Sequence, residues 1–363
     1  MLLCQRNRSI VGLTALFALS AGVSPLLADY AYSQTNLVSN VPGLAQNTDP
    51  NLINPWGISF SKTSPFWVSN QGSNNATLYN GAGSPRPLVV STAAGPTGQV
   101  FNGSSDFVAP NGNSSLFLFA TLSGTIDAWN GASGTSAATV ATTPGAAYTG
   151  LALANNGSGN FLYAANALGG IDVFNATFQK TTLSGSFTDP NLPAGYTPYN
   201  IQNVGGNLLV EYTQGRNTGA GIGVVDQFDA NGNFTKRLVT GGALNAPWGV
   251  TLAPSGFGQF AGDLLVGNFG DGHINAYDPN TGAFQGTLTD ASGKPFANEG
   301  LWGLAFRDAP GFNPNSLYFA AGINGEQGGL FGAITPTPEP ATFAIAGIGL
   351  ASIVLAVQRR SSK

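Results

Sequence analysis

Short apolar segments alternate with turns rich in Gly and Asn along almost the whole chain. Within several of these segments, such as residues 124–129 and 170–174, apolar and polar positions alternate with a period of two. This alternation is typical of strands in a half-buried antiparallel sheet. The 51 Gly and 22 Pro residues add turn signals and disfavour long helices. The pattern therefore predicts an all-β protein of short antiparallel strands.

One unit of this pattern recurs six times, with a period of roughly fifty residues. Each unit opens with a similar strand, at residues 56–60, 106–109, 149–153, 199–202, 248–252 and 302–306. An apolar strand, an alternating strand and a fourth strand follow in each unit, separated by tight turns. Four antiparallel strands per repeat are typical of the blades of a β-propeller, which close into a ring. We therefore expect a six-bladed β-propeller.

The two ends of the repeat region predict how the ring closes. The sixth unit supplies only three strands, the last at residues 329–334. Residues 35–39, before the first unit, resemble the fourth strand of an earlier unit at 236–240. We therefore expect the N-terminal strand to complete blade six, because an unpaired outer edge would leave the ring open.

Apolar runs outside the repeats predict targeting segments. Residues 1–28 combine Arg6 and Arg8 with an apolar run at 10–23, which is typical of a secretory signal peptide cleaved after Ala28. A retained N-terminal anchor is the alternative. Near the other end, a 17-residue apolar run at 341–357 is just long enough for a transmembrane helix.

These boundaries divide the chain into three parts. We expect a signal peptide at 1–28, a propeller at 29–336, and a C-terminal segment at 337–363 that contains the helix. Arg359 and Arg360 follow the apolar run and favour a cytoplasmic location for that end of the helix.

Composition excludes several classes of function. Only 8% of residues are charged and the formal net charge is -4, which excludes a polybasic protein that binds nucleic acid. Cys4 and His273 are the single cysteine and histidine, so intrachain disulfides, cysteine-rich zinc sites and most Ser–His or Cys–His chemistries are excluded. Any catalysis would use carboxylates, amides, hydroxyls and at most one imidazole.

The C-terminal segment closely resembles the PEP-CTERM sorting signal of Gram-negative bacteria. Pro338, Glu339 and Pro340 directly precede the apolar run and the two arginines. The resemblance implies transient anchoring in the inner membrane and processing by an exosortase, a membrane peptidase. It also implies final sorting to the cell surface or the extracellular matrix. The alternative is an ordinary C-terminal anchor, which would also place the repeats outside the cytoplasm.

The repeats themselves resemble NHL-type propellers. Residues 266–278 are the best copy, with Asn before Gly, an alternating strand and a following Asp. Together with the C-terminal segment, this arrangement resembles PEP-CTERM-associated propellers. The resemblance concerns the fold and carries little information about chemistry.

Polar residues at the starts of the innermost strands are candidate ligands for a cation in the central channel. The group comprises Asn54, Asp106, Thr149, Asn200, Asn245 and Glu299. Their amide and carboxylate oxygens suit Ca²⁺ or Mg²⁺. Residues 298–302 and 198–200 are similar to metal-binding motifs of six-bladed lactonases, a resemblance that implies Glu299 and Asn200 as metal ligands and Glu299 as a candidate catalytic residue. Asp106, from the channel group, is the third candidate metal ligand. The alternative is that these groups cap strands and hydrate the channel.

Two further features bear on function. His273 is a candidate general base, by resemblance to streptogramin-lyase-like propellers, or else a turn histidine. Arg216 lies in a long insertion of the fourth unit, at 212–223, which we expect to contribute to a binding face. The alternative is a disordered flap, which the glycines of the insertion equally allow.

Two functional classes therefore remain open. The preferred interpretation is an exported surface or matrix propeller that binds an exopolysaccharide or a surface protein. The alternative is a metal-dependent extracytoplasmic hydrolase or lyase of the lactonase type, with Ca²⁺ in the central channel.

Overall fold

Six small antiparallel sheets surround a central axis in the computed structural model, which describes residues 31–337. The predicted signal peptide and the predicted transmembrane helix lie outside the described residues. The innermost strand of each sheet contacts the innermost strand of the next, and the sixth contacts the first. This closed circuit confirms the six-bladed propeller.

The described chain begins with two strands of the last blade and then forms blades one to three in order. The two strands are β1 (Ala31–Ser39) and β2 (Asn47–Thr48). Blade one contains β3 (Pro55–Ser59), β4 (Phe66–Asn70), β5 (Asn75–Tyr79) and β6 (Val90–Ser91). Blade two contains β7 (Pro96–Phe101), β8 (Phe117–Thr121), β9 (Thr125–Trp129) and β10 (Ala138–Thr142). Blade three contains β11 (Tyr148–Asn155), β12 (Asn160–Asn166), β13 (Ile171–Phe174) and β14 (Lys180–Thr181).

Blades four to six follow with the same strand order, from the axis outwards. Blade four contains β15 (Thr197–Val204), β16 (Asn207–Thr213), β17 (Val224–Phe228) and β18 (Phe234–Thr240). Blade five contains β19 (Pro247–Leu252), β20 (Leu264–Asn268), β21 (Ile274–Tyr277) and β22 (Phe284–Thr287). Blade six contains β23 (Leu301–Ala305), β24 (Leu317–Ala321) and β25 (Leu330–Thr337). The helices of the described chain are single 3₁₀ turns at Gln71–Ser73, Gly131–Ser133 and Gly258–Phe260.

The N-terminal strand closes the ring, as the sequence predicts. Strand β1 lies antiparallel to β25, with Ala31 opposite Thr337 and Ser39 opposite Leu330. Strand β2 adds a short parallel edge outside β1. Blade six is therefore assembled from both ends of the described chain, which protects its outer edge.

The predicted first strand of blade two, at 106–109, is wrong. The innermost strand of that blade is β7, and residues 106–109 lie in the connection between β7 and β8. Phe107 has a φ of 58° there and is fully buried. The apolar alternation of this connection therefore reflects a packed loop rather than a strand.

Close approach of neighbouring blades explains a glycine in five of the six innermost strands. A Cβ at Gly98 would lie 2.2 Å from the backbone nitrogen of Leu151 in the next blade, and one at Gly303 would lie 2.5 Å from the carbonyl oxygen of Trp56. Both distances are shorter than any tolerable contact. In blade four this position is Asn200, whose side chain donates to the carbonyl oxygen of Trp248 in blade five, at 2.7 Å.

The two faces of the ring carry different connections between strands. The upper face is the one where the innermost strands begin, and it also carries the connections between the second and third strands of each blade. The lower face carries the connections between the first and second strands. Ala31 and Thr337 both lie at the lower face, because β1 starts there and β25 ends there.

Candidate functional site

Aromatic side chains close the central channel. The indole of Trp56 stacks on that of Trp302 with ring centroids 3.5 Å apart, and Trp248 meets both edge-on at 5.9 and 5.8 Å. Tyr199 and Phe269 pack against Trp302 at 5.7 and 4.4 Å. This aromatic plug, formed by these five residues, divides the channel into an upper and a lower cavity.

Polar strand-start residues hold the plug in place. Asn54 accepts a hydrogen bond from the Trp302 indole at 3.0 Å, and the carbonyl oxygen of Thr149 accepts one from the Trp248 indole at 3.0 Å. These two residues, which the sequence suggested as channel ligands, therefore orient tryptophans.

The upper pocket is a cavity of about 530 Å³ above the plug. Its walls come from loops of blades four, five and six, and the half-buried ring of Phe269 contributes to its floor. Four charged side chains line it: Arg216, Asp271, Glu299 and Glu326. Three carboxylates against one guanidinium give the pocket a net negative charge.

An ion pair crosses the mouth of the upper pocket. The Arg216 guanidinium donates to both carboxylate oxygens of Glu326, at 2.9 and 3.1 Å. Glu326 adopts a φ of 68°, in the left-handed region that non-glycine residues avoid. The contact joins blade four to blade six, and it places Arg216 of the insertion at 212–223 on the upper face. No local pattern signalled Glu326, because its partner lies 110 residues away in the chain.

Glu299 holds the turn that carries Glu326. Its two carboxylate oxygens accept the backbone N–H groups of Asn324 and Gly325, at 3.1 and 2.7 Å. A carboxylate that accepts two backbone N–H groups stabilises a tight turn. Glu299 therefore lines the upper pocket with its oxygens turned towards the backbone of blade six.

Asp271 and Asn245 form a second polar link at the pocket. Asp271 accepts the Asn245 side-chain amide at 3.1 Å and the backbone N–H of His273 at 3.0 Å. Asn245 in turn accepts the N–H of Gly219 from the insertion at 2.6 Å. The imidazole of His273 is half-exposed, and its Nδ1 lies 3.7 Å from Asp271. His273 is thus a turn residue beside the pocket, and it does not line the pocket.

The lower cavity, of about 350 Å³, is lined by the ends of the innermost strands. Its polar groups include the side chains of Gln99, Asn200 and Ser59. Among the described residues that line it, none carries a charge. This cavity therefore offers amides and hydroxyls but no acid, base or ionic ligand.

The three candidate metal ligands do not converge. Glu299 lies at the upper face, whereas Asp106 lies in the lower connection of blade two and accepts the Asn160 amide at 2.8 Å. Asn200 is buried between blades four and five. Within residues 31–337, no group of three or more His, Cys, Asp and Glu side chains could hold a metal ion. Pro338, Glu339, Pro340, Arg359 and Arg360 lie outside the described residues.

Blade four contains two buried acids, Glu211 and Asp226, that the sequence pattern did not indicate. Glu211 is fully buried opposite Asn200, both of its oxygens lack a hydrogen-bond partner among the described residues, and burial raises its carboxyl pKa far above the usual range. Asp226 is also fully buried, and burial together with the charge of Asp189 raises its pKa to about 7. Glu211 lies in the second strand of its blade and Asp226 in the third, and the pattern of neighbouring residues does not distinguish a buried acid from an exposed one there.

Comparison with known proteins identifies the C-terminal segment. Residues 336–360 match the PEP-CTERM protein-sorting motif. This match confirms the sorting-signal resemblance and includes Pro338, Glu339, Pro340, Arg359 and Arg360. The motif implies export, processing by an exosortase and sorting to the surface of a Gram-negative bacterium.

The propeller has relatives of similar length. Uncharacterized protein R648 of Acanthamoeba polyphaga mimivirus is 32% identical over 349 residues, which covers 87% of this chain and 84% of that protein. The chain belongs to the same family as R648. Uncharacterized protein L690 of the same virus is 31% identical to this chain over 325 residues, which covers 82% of this chain and 84% of that protein.

A solved structure resembles this member of the R648 family in fold. A streptogramin B lyase structure superposes with a TM-score of 0.52 at 14% identity, covering 85% of this chain and 98% of that one. At this identity the likeness concerns the propeller fold alone. Within residues 31–337, no helix is long and apolar enough to cross a membrane.

Proposed function

We propose that this protein is an exported, surface-sorted propeller that acts as a binding module through its upper face. The observation that carries the proposal is the sorting motif at 336–360, which begins in the last strand of a propeller with a charged pocket at its opposite face. In this proposal residues 1–28 are removed as a signal peptide, 29–336 form the binding domain, and 337–363 form the sorting signal with a transmembrane helix at 341–357.

The position of the chain ends supports the choice of face. Thr337 leaves blade six at the lower face, so a membrane-anchored precursor would have its lower face towards the bilayer. The upper pocket, at the opposite face, would then point away from the membrane. A ligand outside the cell would reach it both before and after processing.

The chemistry of the upper pocket suits a hydroxyl-rich ligand such as an exopolysaccharide or a polar segment of a surface protein. Phe269 offers an apolar ring against which a sugar could pack. Arg216, Asp271 and Glu326 surround it with donors and acceptors that hydroxyl groups can engage. Few polar groups around an apolar surface are characteristic of small-ligand sites.

Sorting is tested by replacing the three motif residues together. In a host that carries an exosortase, substitution of Pro338, Glu339 and Pro340 by Ala should leave export intact and retain the protein in the inner membrane. A proline disfavours helix in the residue that precedes it, and an extended segment is the form that a peptidase cleft binds. Mass spectrometry of the surface fraction gives the readout. A wild-type surface protein whose chain still ends at Lys363 would refute processing.

Binding is tested with a matched pair of cation substitutions. Arg216→Ala removes the guanidinium from the upper pocket, whereas Lys62→Ala removes an exposed cation from the lower face. Co-sedimentation with the host's extracellular polysaccharide should show binding of the wild type and of Lys62→Ala, and at least about tenfold weaker binding of Arg216→Ala, since losing one charged hydrogen bond costs roughly 1.5 kcal/mol. Equal binding by both variants would refute the upper pocket as the site.

A further inference from the structure

The last strand of the propeller extends beyond its blade as a two-stranded ribbon. Strand β24 ends its pairing with β25 at Ile334, opposite Leu317. Beyond that point β25 pairs with β1 alone: Thr335 lies opposite Ser33, Pro336 opposite Tyr32 and Thr337 opposite Ala31. Proline is tolerated at 336 because one side of the strand has no partner there. We call residues 31–33 and 335–337 the exit ribbon.

Tyr32 fastens the exit ribbon to blade five. Its ring is almost fully buried, lies 4.9 Å from the Phe257 ring and stacks on Phe260 at 6.0 Å. Its hydroxyl donates to the carbonyl oxygen of Phe257 at 2.8 Å, and its backbone N–H donates to Thr289. The Thr337 hydroxyl also donates to the carbonyl oxygen of Ala31 at 2.9 Å. The ribbon is therefore part of the folded body.

The sorting motif begins inside this ribbon. The match starts at Pro336, and both Pro336 and Thr337 are paired with β1. No linker separates the propeller from Pro338. A peptidase that acts on the motif must therefore work within a few residues of the lower face.

We propose that β1 clamps the start of the sorting signal and sets Thr337 as the upstream limit of processing. The inference rests on the proposed exosortase processing. A peptidase binds its substrate as an extended, unpaired segment, so bonds within the paired ribbon are protected while the propeller is closed. The first bond available for cleavage is then the one that follows Thr337. Cleavage breaks one peptide C–N bond there or beyond; the acyl carbon passes to water or to an acceptor hydroxyl or amine, and the released amine takes the proton.

Closure of the ring thereby determines whether processing produces a C-terminus at or after Thr337. A chain whose N-terminal strand has not joined blade six leaves residues 335–337 unpaired and open to cleavage. The N-terminal strand, far from the motif in sequence, becomes a determinant of the mature C-terminus.

The test compares full-length variants in a host that carries an exosortase, with the C-terminus read by mass spectrometry. Tyr32→Ala loosens the ribbon, and Tyr32→Phe, which keeps the ring contacts, is the matched control. The double variant Ser33→Cys with Thr335→Cys locks the ribbon, since directly opposed strand residues lie about 4.5–5.5 Å apart, within disulfide range. No other cysteine competes among residues 31–337.

The proposal expects wild type, Tyr32→Phe and the locked variant to share one mature C-terminus at or after Thr337. Tyr32→Ala should yield additional C-termini upstream of Thr337. A wild-type C-terminus before Thr337, an unchanged end in Tyr32→Ala, or a locked variant that is no longer processed would each overturn the clamp.

A second measurement separates the clamp from the exosortase. A non-specific protease added to the purified full-length chain should trim the wild-type tail no further than the ribbon. In Tyr32→Ala, cleavage within 335–337 should be at least about tenfold faster, because local opening becomes more frequent. If the host never processes the protein but this protection is observed, the proposed sorting fails and the clamp stands. If processing occurs and the ribbon is unprotected, the clamp fails alone.

Discussion

An unbalanced ion cluster inside blade four should make the protein less stable as the pH rises. Arg237 donates to Asp226 at 3.2 Å and also contacts Asp189, and both carboxylates are buried. One guanidinium therefore serves two acids, and the second oxygen of Asp226 has no partner among the described residues. Burial first, and then the Asp189 charge, raise the Asp226 pKa from 3.8 to about 7, against the opposing effect of Arg237. We expect Asp226→Asn to remove the cost of ionising this group.

The sign and size of the effect follow from proton linkage. Between pH 3.8 and about 7 the folded state holds a proton that the unfolded state has lost, so the free energy of unfolding falls as the pH rises through this window and is level above it. Each pKa unit corresponds to about 1.4 kcal/mol, which places the upper bound at about 4 kcal/mol. Because relaxation around the charge lowers this penalty, we expect Asp226→Asn to be more stable than wild type by about 2 kcal/mol at pH 8 and nearly equal below pH 4.

Urea unfolding, followed by tryptophan fluorescence at intervals from pH 4 to pH 9, measures the stability difference between Asp226→Asn and wild type and its dependence on pH. Asp278→Asn is the control: the Asp278 pKa is lowered from 3.8 because its carboxylate accepts N–H groups from Thr281 and Asn280, so its stabilising contribution is lost only as the pH falls below that value. Between pH 4 and pH 9 the stability difference between Asp278→Asn and wild type should therefore stay nearly constant. A pH dependence of Asp226→Asn that parallels wild type, or a lower stability of this variant at pH 8, would refute the reasoning.

Three further predictions concern the ring. Deleting residues 31–39 should abolish cooperative unfolding, since β25 loses its outer partner and blade six its closure; a thermal melt with unchanged midpoint and width would contradict the assignment. Gly98→Ala should destabilise the protein by at least about 2 kcal/mol in urea unfolding, because its Cβ would lie 2.2 Å from the next blade, whereas Gly131→Ala, with open space, should be neutral within about 0.5 kcal/mol. Trp302→Ala should cost about 3–5 kcal/mol because it empties the centre of the plug; a loss below about 1 kcal/mol would show that the plug is loosely packed.

Much of the architecture could be predicted from sequence because it repeats. Strand alternation, turn residues and the roughly fifty-residue period all point to the same six blades, and the three strands of the last unit together with 35–39 predict how the ring closes. The single failure, at 106–109, arose where a buried loop imitates a strand. The true innermost strand, β7, carries the glycine of the blade contact, Gly98, but Thr97 precedes it where three other blades have a tryptophan.

The candidate site depended on contacts that have no local signal. Arg216 and Glu326 are in contact although 110 residues separate them in the chain. Glu299, just before the first strand of blade six, lines the same pocket because the ring places this blade near the loops of blades four and five. The same holds for the exit ribbon, where Ala31 lies opposite Thr337. The sequence by itself determined most of the strands, the number of blades and the sorting motif, because these depend on neighbouring residues and a period. Only the tertiary structure decided which loops share a pocket and which strand clamps the motif, because ring closure brings together residues that are far apart in the chain.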